Sequence, residues 1–449
     1  MQKTILLLIS IFTLSISASA QQVLTLENAI NKALSKNPNI LKSEYQLESK
    51  ESNMRAALGQ LLPSVSANAG WNWARSESKG GEFNFNGSII ESPASTTQTR
   101  SYTAGLSSNW TLFDGLASFK FLRIGENEVT QTGLNLSRLK QEIVYQTISR
   151  YLLILNAAEL VRVREDNLLW NQKNLEIVTM KNEIGTSTLA EVYQQQVRVG
   201  QAELAVLQAK NDFETTKSAF LYFLGEDVLH EYTYADPGEL LKELDNFEST
   251  DWQTVDLDKL IVDALKSRSD YKSLEVTVDN AQSLIDARWA AHLPVLTNSI
   301  TYGFRGNTVS DMFENRNLSV SLNLSIPIFN GWITTNQIEQ AMIQKKSAEV
   351  DLSDLARSIK RDLQKTFLDL QTAGKRVEVS RKNVVAAEET RKIEEEKYKL
   401  GATTLLNVLI ANSDLLDAQT QYINSRFDLL TLEEKLKYDL GTLEVPVIK

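Results

Sequence analysis

Residues 332–400 constrain the possible folds more than any other stretch of the chain. They contain no proline and one glycine, Gly374. Apolar residues fall at Leu352, Leu355, Ile359, Leu363, Phe367 and Leu370, and continue loosely through Val377 and Val384. Steps of three and four averaging about 3.6 residues predict a helix. Such a helix would run roughly 100 Å, several times the width of a small domain. No globular core can enclose it, so it must pack beside other helices. A period nearer 3.6 than 3.5 predicts nearly straight helices rather than a left-handed supercoil. Taken alone, the stretch would also suit an ordinary coiled-coil rod.

The 449 residues include only seven prolines, none between Pro93 and Pro237 or between Pro327 and Pro446. Two breaker-free regions prompt a search for repeats. Ala33-Leu34 matches Ala264-Leu265, and Leu62-Pro63 matches Leu293-Pro294, both at an offset of 231. Leu112-Phe113-Asp114-Gly115 matches Ile328-Phe329-Asn330-Gly331 at an offset of 216. The same 216 relates Ile184-Gly185-Thr186-Ser187-Thr188-Leu189 to Leu400-Gly401-Ala402-Thr403-Thr404-Leu405, and Leu224-Gly225 to Leu440-Gly441. The offsets differ by 15 residues, which places an extra loop in the first half, between the proline and the Phe-x-Gly motif.

Each half therefore reads in one order. Helices are expected at 26–36 and 39–61, and again at 257–266 and 270–292, each pair ended by proline. Alternation follows. Val65, Ala67, Ala69, Trp71 and Trp73 share one face of a strand whose other face carries Ser64, Ser66, Asn68 and Asn72. The partner strand aligns Tyr102, Ala104, Leu106, Trp110 and Leu112. In the second half, Leu318, Val320, Leu322, Leu324, Ile326 and Ile328 alternate with serines and Asn323, beside a weaker strand near 296–304. A period of two with Ser and Asn on one face is the pattern of a transmembrane barrel strand. Trp71, Trp73, Tyr102, Trp110, Tyr302, Phe304, Phe329 and Trp332 would form interfacial girdles. The polar stretches 75–100 and 305–317 read as extracellular loops. Long helices then run from Gly115 to Gly185 and from Gly331 to Gly401, with glycine at the reversal. Thr186, Ser187, Thr403 and Thr404 are candidate caps for return helices at 189–224 and 405–440. A return helix of roughly 54 Å is too short for its partner, so the shorter helices would stack end to end with it. The expected organisation is a first repeat at 21–225 (hairpin 63–113), an acidic linker at 226–254 with a turn at Asp236-Pro237-Gly238, a second repeat at 255–441 (hairpin 294–329) and a tail at 442–449.

The N-terminus bears on compartment. A basic Lys3, an apolar run from Ile5 to Ile16 and Ala18-Ser19-Ala20 together read as a signal peptide over residues 1–20. The chain has no cysteine, which excludes disulfides and thiolate metal sites. A net charge of −10 disfavours nucleic acid as a partner. No later stretch holds 18 consecutive apolar residues, so a membrane crossing would have to be a β-barrel.

The order helix, Leu-Pro, hairpin, Phe-Asp/Asn-Gly, long helix, Gly-x-x-Thr-Leu-x-x-Val, helix, Leu-Gly resembles the TolC family of bacterial outer-membrane efflux and export channels. The resemblance covers almost the whole chain after residue 20 and rests on repetition at fixed offsets. It implies an α+β membrane protein: a homotrimer whose four strands per chain close a 12-stranded transmembrane β-barrel, continued by a long periplasmic α-helical barrel. Four strands alone cannot close a barrel whose minimum is eight. The partners it implies are a periplasmic adaptor protein, an inner-membrane transporter that supplies the energy, and outer-membrane lipid.

The resemblance also implies a periplasmic gate after the long helix of the second half. The two acidic constriction positions of the family are Asn407 and Ile410 here, which would make a hydrophobic, dewetting constriction rather than a cation-binding ring. Glu191 and Tyr398 match two members of the family's closing lock; the third, an arginine, is Thr403. The glycine turns, with Gly185, Thr186 and Leu189 in one half and Gly401, Ala402 and Leu405 in the other, are expected to dock the adaptor. No catalytic, cofactor or metal site is expected. His230 and His292 lie in no ligand-spaced cluster, and there is no nucleophile elbow or phosphate loop. The charged runs at 394–397 and 361–365 read as solvated helix faces. The expected function is the exit duct of a tripartite efflux pump. The alternatives are the outer duct of a type I protein-secretion system and a periplasmic coiled-coil scaffold without a pore.

Overall fold

The computed structural model describes residues 22–234 and 256–446. The expected signal peptide, the Asp236-Pro237-Gly238 turn and the end of the tail lie outside the described residues. The chain divides into two compact units. One comprises residues up to Leu41, Leu139–Ser267 and Ile359 onward; the other comprises Lys42–Arg138 and Arg268–Ser358.

In order, the elements are β1 (Gln22–Leu24), α1 (Leu26–Lys36), α2 (Pro38–Gly59), β2 (Ser64–Ser78), β3 (Gly81–Phe85), β4 (Ser88–Ser92), β5 (Ser95–Phe113), α3 (Ala117–Glu183), α4 (Leu189–Leu224) and β6 (Tyr232–Tyr234). The second half gives α5 (Leu257–Ser267), α6 (Ser269–Trp289), a 3-10 turn at Ala290–His292, β7 (Val295–Gly306), α7 (Val309–Met312), β8 (Arg316–Ser325), α8 (Ile333–Lys399) and α9 (Leu405–Leu440). The long helices and their returns fall within two residues of expectation.

The unit holding the strands is built on one antiparallel sheet, ordered β2-β5-β7-β8. Its register keeps the two chemistries apart. Ala67 faces Leu106, Leu106 faces Tyr302, and Tyr302 faces Leu318, so apolar residues line one face. Asn68 faces Gly105, Ser107 faces Thr301, and Thr301 faces Ser319 on the other. Strand β8 ends at Ser325, so Ile326 and Ile328 are exposed but lie beyond the ladder, contrary to the alternation. The stretch 75–100 is mostly paired rather than loop: β2 and β5 stay in register out to Ser78 and Ser95, and β3 and β4 add a small hairpin. Asn86 and Gly87, both at positive φ, make its two-residue turn. This hairpin accounts for the extra length of the first half.

Both repeats turn from strand into long helix through the same corner. Gly115 and Leu116, like Gly331 and Trp332, are consecutive residues in the left-handed region. A side chain on Gly115 would meet Leu293 at 2.9 Å. The Asx residue before each glycine bonds into the first turn: Asp114 caps it, accepting from the Ser118 amide at 2.9 Å and from its hydroxyl, whereas Asn330 only donates to the Thr334 hydroxyl.

The other unit is helical, and its packing corrects the expected period. Between Ile359 and Ser380 the buried positions of α8 are Ile359, Leu363, Thr366, Leu370, Ala373 and Ser380, so the steps are fours, threes and one seven. That is a seven-residue pattern, the coiled-coil repeat. Hydropathy alone missed it because two stripe positions are polar. The Thr366 hydroxyl donates to Asp439 at 2.7 Å, and Ser380 bonds Ser425 at 2.9 Å. Within the acidic linker, β6 pairs in parallel with β1. Leu24 there is buried, and its carbonyl accepts from the Tyr151 hydroxyl at 3.1 Å. Glu226 at the end of α4 holds Lys32 at 2.7 Å and Lys36 at 2.9 Å on α1.

Candidate functional site

The site comprises the two turns that join long helix to return helix, all within the helical unit. Each turn is a Schellman motif on a left-handed glycine. Gly185 (φ 75°) bonds Asn182, and the Thr186 amide reaches Lys181 at 2.8 Å. Gly401 (φ 73°) bonds Tyr398, and the Ala402 amide reaches Lys397 at 2.8 Å. These pairs satisfy carbonyls that a helix end would otherwise leave open.

The starts of the return helices differ. Thr188, rather than Thr186 or Ser187, caps α4 in a full capping box with Glu191. The Glu191 carboxylate accepts from the Thr188 amide at 3.1 Å and from the Ser187 hydroxyl. Thr404 occupies the equivalent position before α9 but makes no side-chain cap bond. Thr403 instead donates to Glu394 at 2.9 Å and accepts from Asn407 at 2.9 Å.

The two turns are brought together by an apolar cluster of Val178, Val192, Tyr398, Leu405, Val408 and Leu409, with Trp170 and Leu175 against it. Tyr398 is the hinge of this contact. Lys181 from the first half donates to the Tyr398 carbonyl at 2.6 Å and sits 4.0 Å from the ring centroid, a cation–π distance. The Tyr398 hydroxyl is buried without a hydrogen-bond partner. Burial pushes its pKa up, and the Glu191 charge adds to the rise. A second link lies further along the helices. Trp170 Nε1 donates to Glu395 at 2.7 Å, Arg391 pairs with the same carboxylate at 3.3 Å, and Asn412 donates to Asn167 at 2.8 Å.

The structure thus places the Glu191 charge near Tyr398, ties Thr403 to Glu394 and Asn407, and leaves Asn407 and Ile410 exposed on α9. The docking set divides. Gly185, Thr186, Leu189, Gly401 and Ala402 are exposed, but Leu405 is 1% exposed against 55% for Leu189. Leu405 packs in the cluster and offers nothing to a partner, so the two turns are not equivalent surfaces. Residues 394–397 are not simply solvated either: Glu394 and Glu395 take part in the turn and in the link to Trp170. Lys181, Trp170 and Asn412 escaped the sequence reading because their partners are more than 200 residues away. No group of three or more His, Cys, Asp or Glu side chains able to hold a metal occurs among the described residues. Among the described residues, no helix is long and apolar enough to cross a membrane.

The outer membrane efflux protein family matches residues 29–226 and 260–442, and the chain belongs to that family. It is a transport protein of the bacterial outer membrane, of a family of channels. The outer membrane efflux protein BepC of Brucella suis biovar 1 is 22% identical over 423 residues, covering 93% of this chain and 86% of BepC. The outer membrane protein TolC of Escherichia coli K12 is 21% identical over 456 residues, covering 99% of this chain and 87% of TolC. Among solved structures, the Campylobacter jejuni CmeC outer membrane channel superposes with a TM-score of 0.79 at 16% identity, covering 94% of this chain and 87% of CmeC. The open state of the Neisseria gonorrhoeae MtrE outer membrane channel gives 0.74 at 16% identity, covering 94% of this chain and 90% of MtrE. The two channels share this chain's fold.

Proposed function

We propose that three copies of the chain form the outer-membrane duct of a tripartite efflux pump, with a 12-stranded barrel and a periplasmic helical barrel. The carrying observation is the β2-β5-β7-β8 sheet, apolar on one face and rich in Ser, Thr, Asn and Gly on the other. Its edge strands, β2 and β8, are each paired on one side only, to β5 and β7, with no strand on the outer side among the described residues. In lipid, an open edge would leave backbone groups unsatisfied at several kcal/mol each. Pairing β8 of one copy with β2 of the next removes every edge, and three copies supply twelve strands. Two repeats divide each chain as 21–225 and 255–441. Transport energy comes from an inner-membrane transporter, reached through a periplasmic adaptor that docks on Gly185, Thr186, Leu189, Gly401 and Ala402.

The gate in this proposal closes at Asn407 and Ile410. The buried cluster around Tyr398 holds the two turns of each chain together, and Ile410 stays exposed to meet its copies. The purified protein should run as a trimer in unheated electrophoresis and conduct in planar bilayers. Ile410→Asp should wet the constriction and raise single-channel conductance several-fold. It should also create a site that trivalent cations block. A protein that extracts as a soluble monomer with no conductance refutes the duct. Strong cation block of the unsubstituted channel refutes the apolar gate.

A further inference from the structure

A cavity of about 360 Å³ lies between α3, α4 and α9 in the helical unit. Leu406, Leu409 and Ile410 form its apolar side. The lining also includes Arg164 on α3, Arg198 on α4 and Asp414 on α9. Arg164 makes no hydrogen bond or ion pair among the described residues. Arg198 donates to Gln201 Oε1 at 3.1 Å and has its remaining donors free. The buried amides of the wall are already committed. Asn171 donates to Asn167 and accepts from Gln195, while Asn412 donates to Asn167. They form a rigid polar wall that does not compete for the arginines.

Two guanidinium groups and one carboxylate leave the cavity net positive, in a chain whose total charge is −10. Each guanidinium is a planar fork suited to two oxygens of a carboxylate or phosphate. The volume falls at the small end of ordinary ligand pockets. We propose that this cavity binds small oxyanions and forms an anion-attracting vestibule beside Ile410. The vestibule, though not the binding, rests on the gate assigned above. In a trimer it would set six arginines next to the constriction. Outgoing molecules bearing carboxylate or phosphate groups would concentrate there, the reverse of an acidic mouth.

The test uses the purified trimer with tripolyphosphate and with citrate as separate probes, at low ionic strength because such contacts are screened by salt. Calorimetry should show binding of both if the recognition is of oxyanions generally, or of tripolyphosphate alone if it is of phosphate. Arg164→Gln and Arg198→Gln should each weaken binding about tenfold, and Asp414→Asn should tighten it several-fold. The three side chains make few contacts, so the variants should still assemble, as unheated electrophoresis checks. Bilayer currents of the unsubstituted channel should fall when tripolyphosphate is added on the helical side, and the arginine variants should lose that block. Binding that both arginine substitutions leave unchanged, or no binding of either probe, overturns the proposal. If Ile410→Asp still raises conductance in that case, the gate stands and only the anion site falls. Binding without block keeps the site and removes it from the conduction path, which refutes the vestibule and leaves the gate to the Ile410→Asp result.

Discussion

The chemistry of the turns depends on a few side chains whose roles separate cleanly. Lys181 serves Tyr398 twice, through the carbonyl and through the ring, whereas the Tyr398 hydroxyl bonds nothing. Tyr398→Phe should therefore leave the closed state intact. Lys181→Met removes a charge-assisted bond and a cation–π contact, together worth about 1–3 kcal/mol. It should raise the open-to-closed ratio in bilayers by about fivefold to a hundredfold. A Tyr398→Phe channel that opens more readily than Lys181→Met would reverse these roles. Glu226 offers a pH test. Burial alone would raise its pKa, but the bonds from Lys32 and Lys36 outweigh burial and hold it below the usual glutamate value. A depressed carboxylate stabilises above its unfolded value, near pH 4.3, and that stabilisation is lost as pH falls through the lowered folded value. Glu226→Gln should cost about 1–2 kcal/mol at neutral pH and lose less on acidification than the native protein. Thermal melts of the two proteins at pH 7 and pH 3.5 measure the difference. Glu191 and Tyr398 could be placed by motif matching because they sit at fixed distances from glycines. Lys181 could not, since nothing local to Met180-Lys181-Asn182 says that its partner lies 217 residues on.

Elements were legible wherever backbone chemistry is local. Gly185, Gly401, Gly225 and Gly441 mark helix ends because each adopts a positive φ. Pro63 and Pro294 mark the start of the strands for an equally local reason. The misreadings came where side chains decide. The seven-residue stripe of α8 was hidden by Thr366 and Ser380, polar residues made burial-compatible only by partners on α9. The pairing of residues 75–100 was hidden by a Ser, Thr and Asn composition that reads as loop, yet suits a strand with one wet face. The two return helices provide a paired test of capping. Thr188→Ala should cost about 1 kcal/mol, while Thr404→Ala should cost almost nothing, since its hydroxyl caps nothing. Amide hydrogen exchange in the first turns of α4 and α9 reads the contrast directly. Gly401→Ala has open space around it but a left-handed backbone, so roughly 1 kcal/mol of strain should appear in the same exchange.

At the scale of the whole molecule, the orientation proposed above predicts which ends of the chain face the medium. A cysteine at Ser88, on the exposed small hairpin, should react with an impermeant thiol reagent on intact cells, and one at Thr403 should not. The opposite labelling would invert the molecule. The native chain has no cysteine, so no background substitution is needed. The four-stranded sheet with two bare edges also bears on how the protein comes into being. On the proposed trimeric arrangement, a chain with that sheet is chemically unfinished: its backbone hydrogen bonding is completed by the other copies. On the trimeric arrangement, insertion cannot precede association, because a lone sheet in hydrocarbon would carry both open edges. Barrel formation should then be third order in chain concentration, with the helical parts free to fold first in the aqueous phase. Dilution should arrest the protein as a water-accessible intermediate with formed helices and no barrel. Any chain too defective to complete the ring would withhold two good copies with it, so one damaged allele should silence far more than its share of channels.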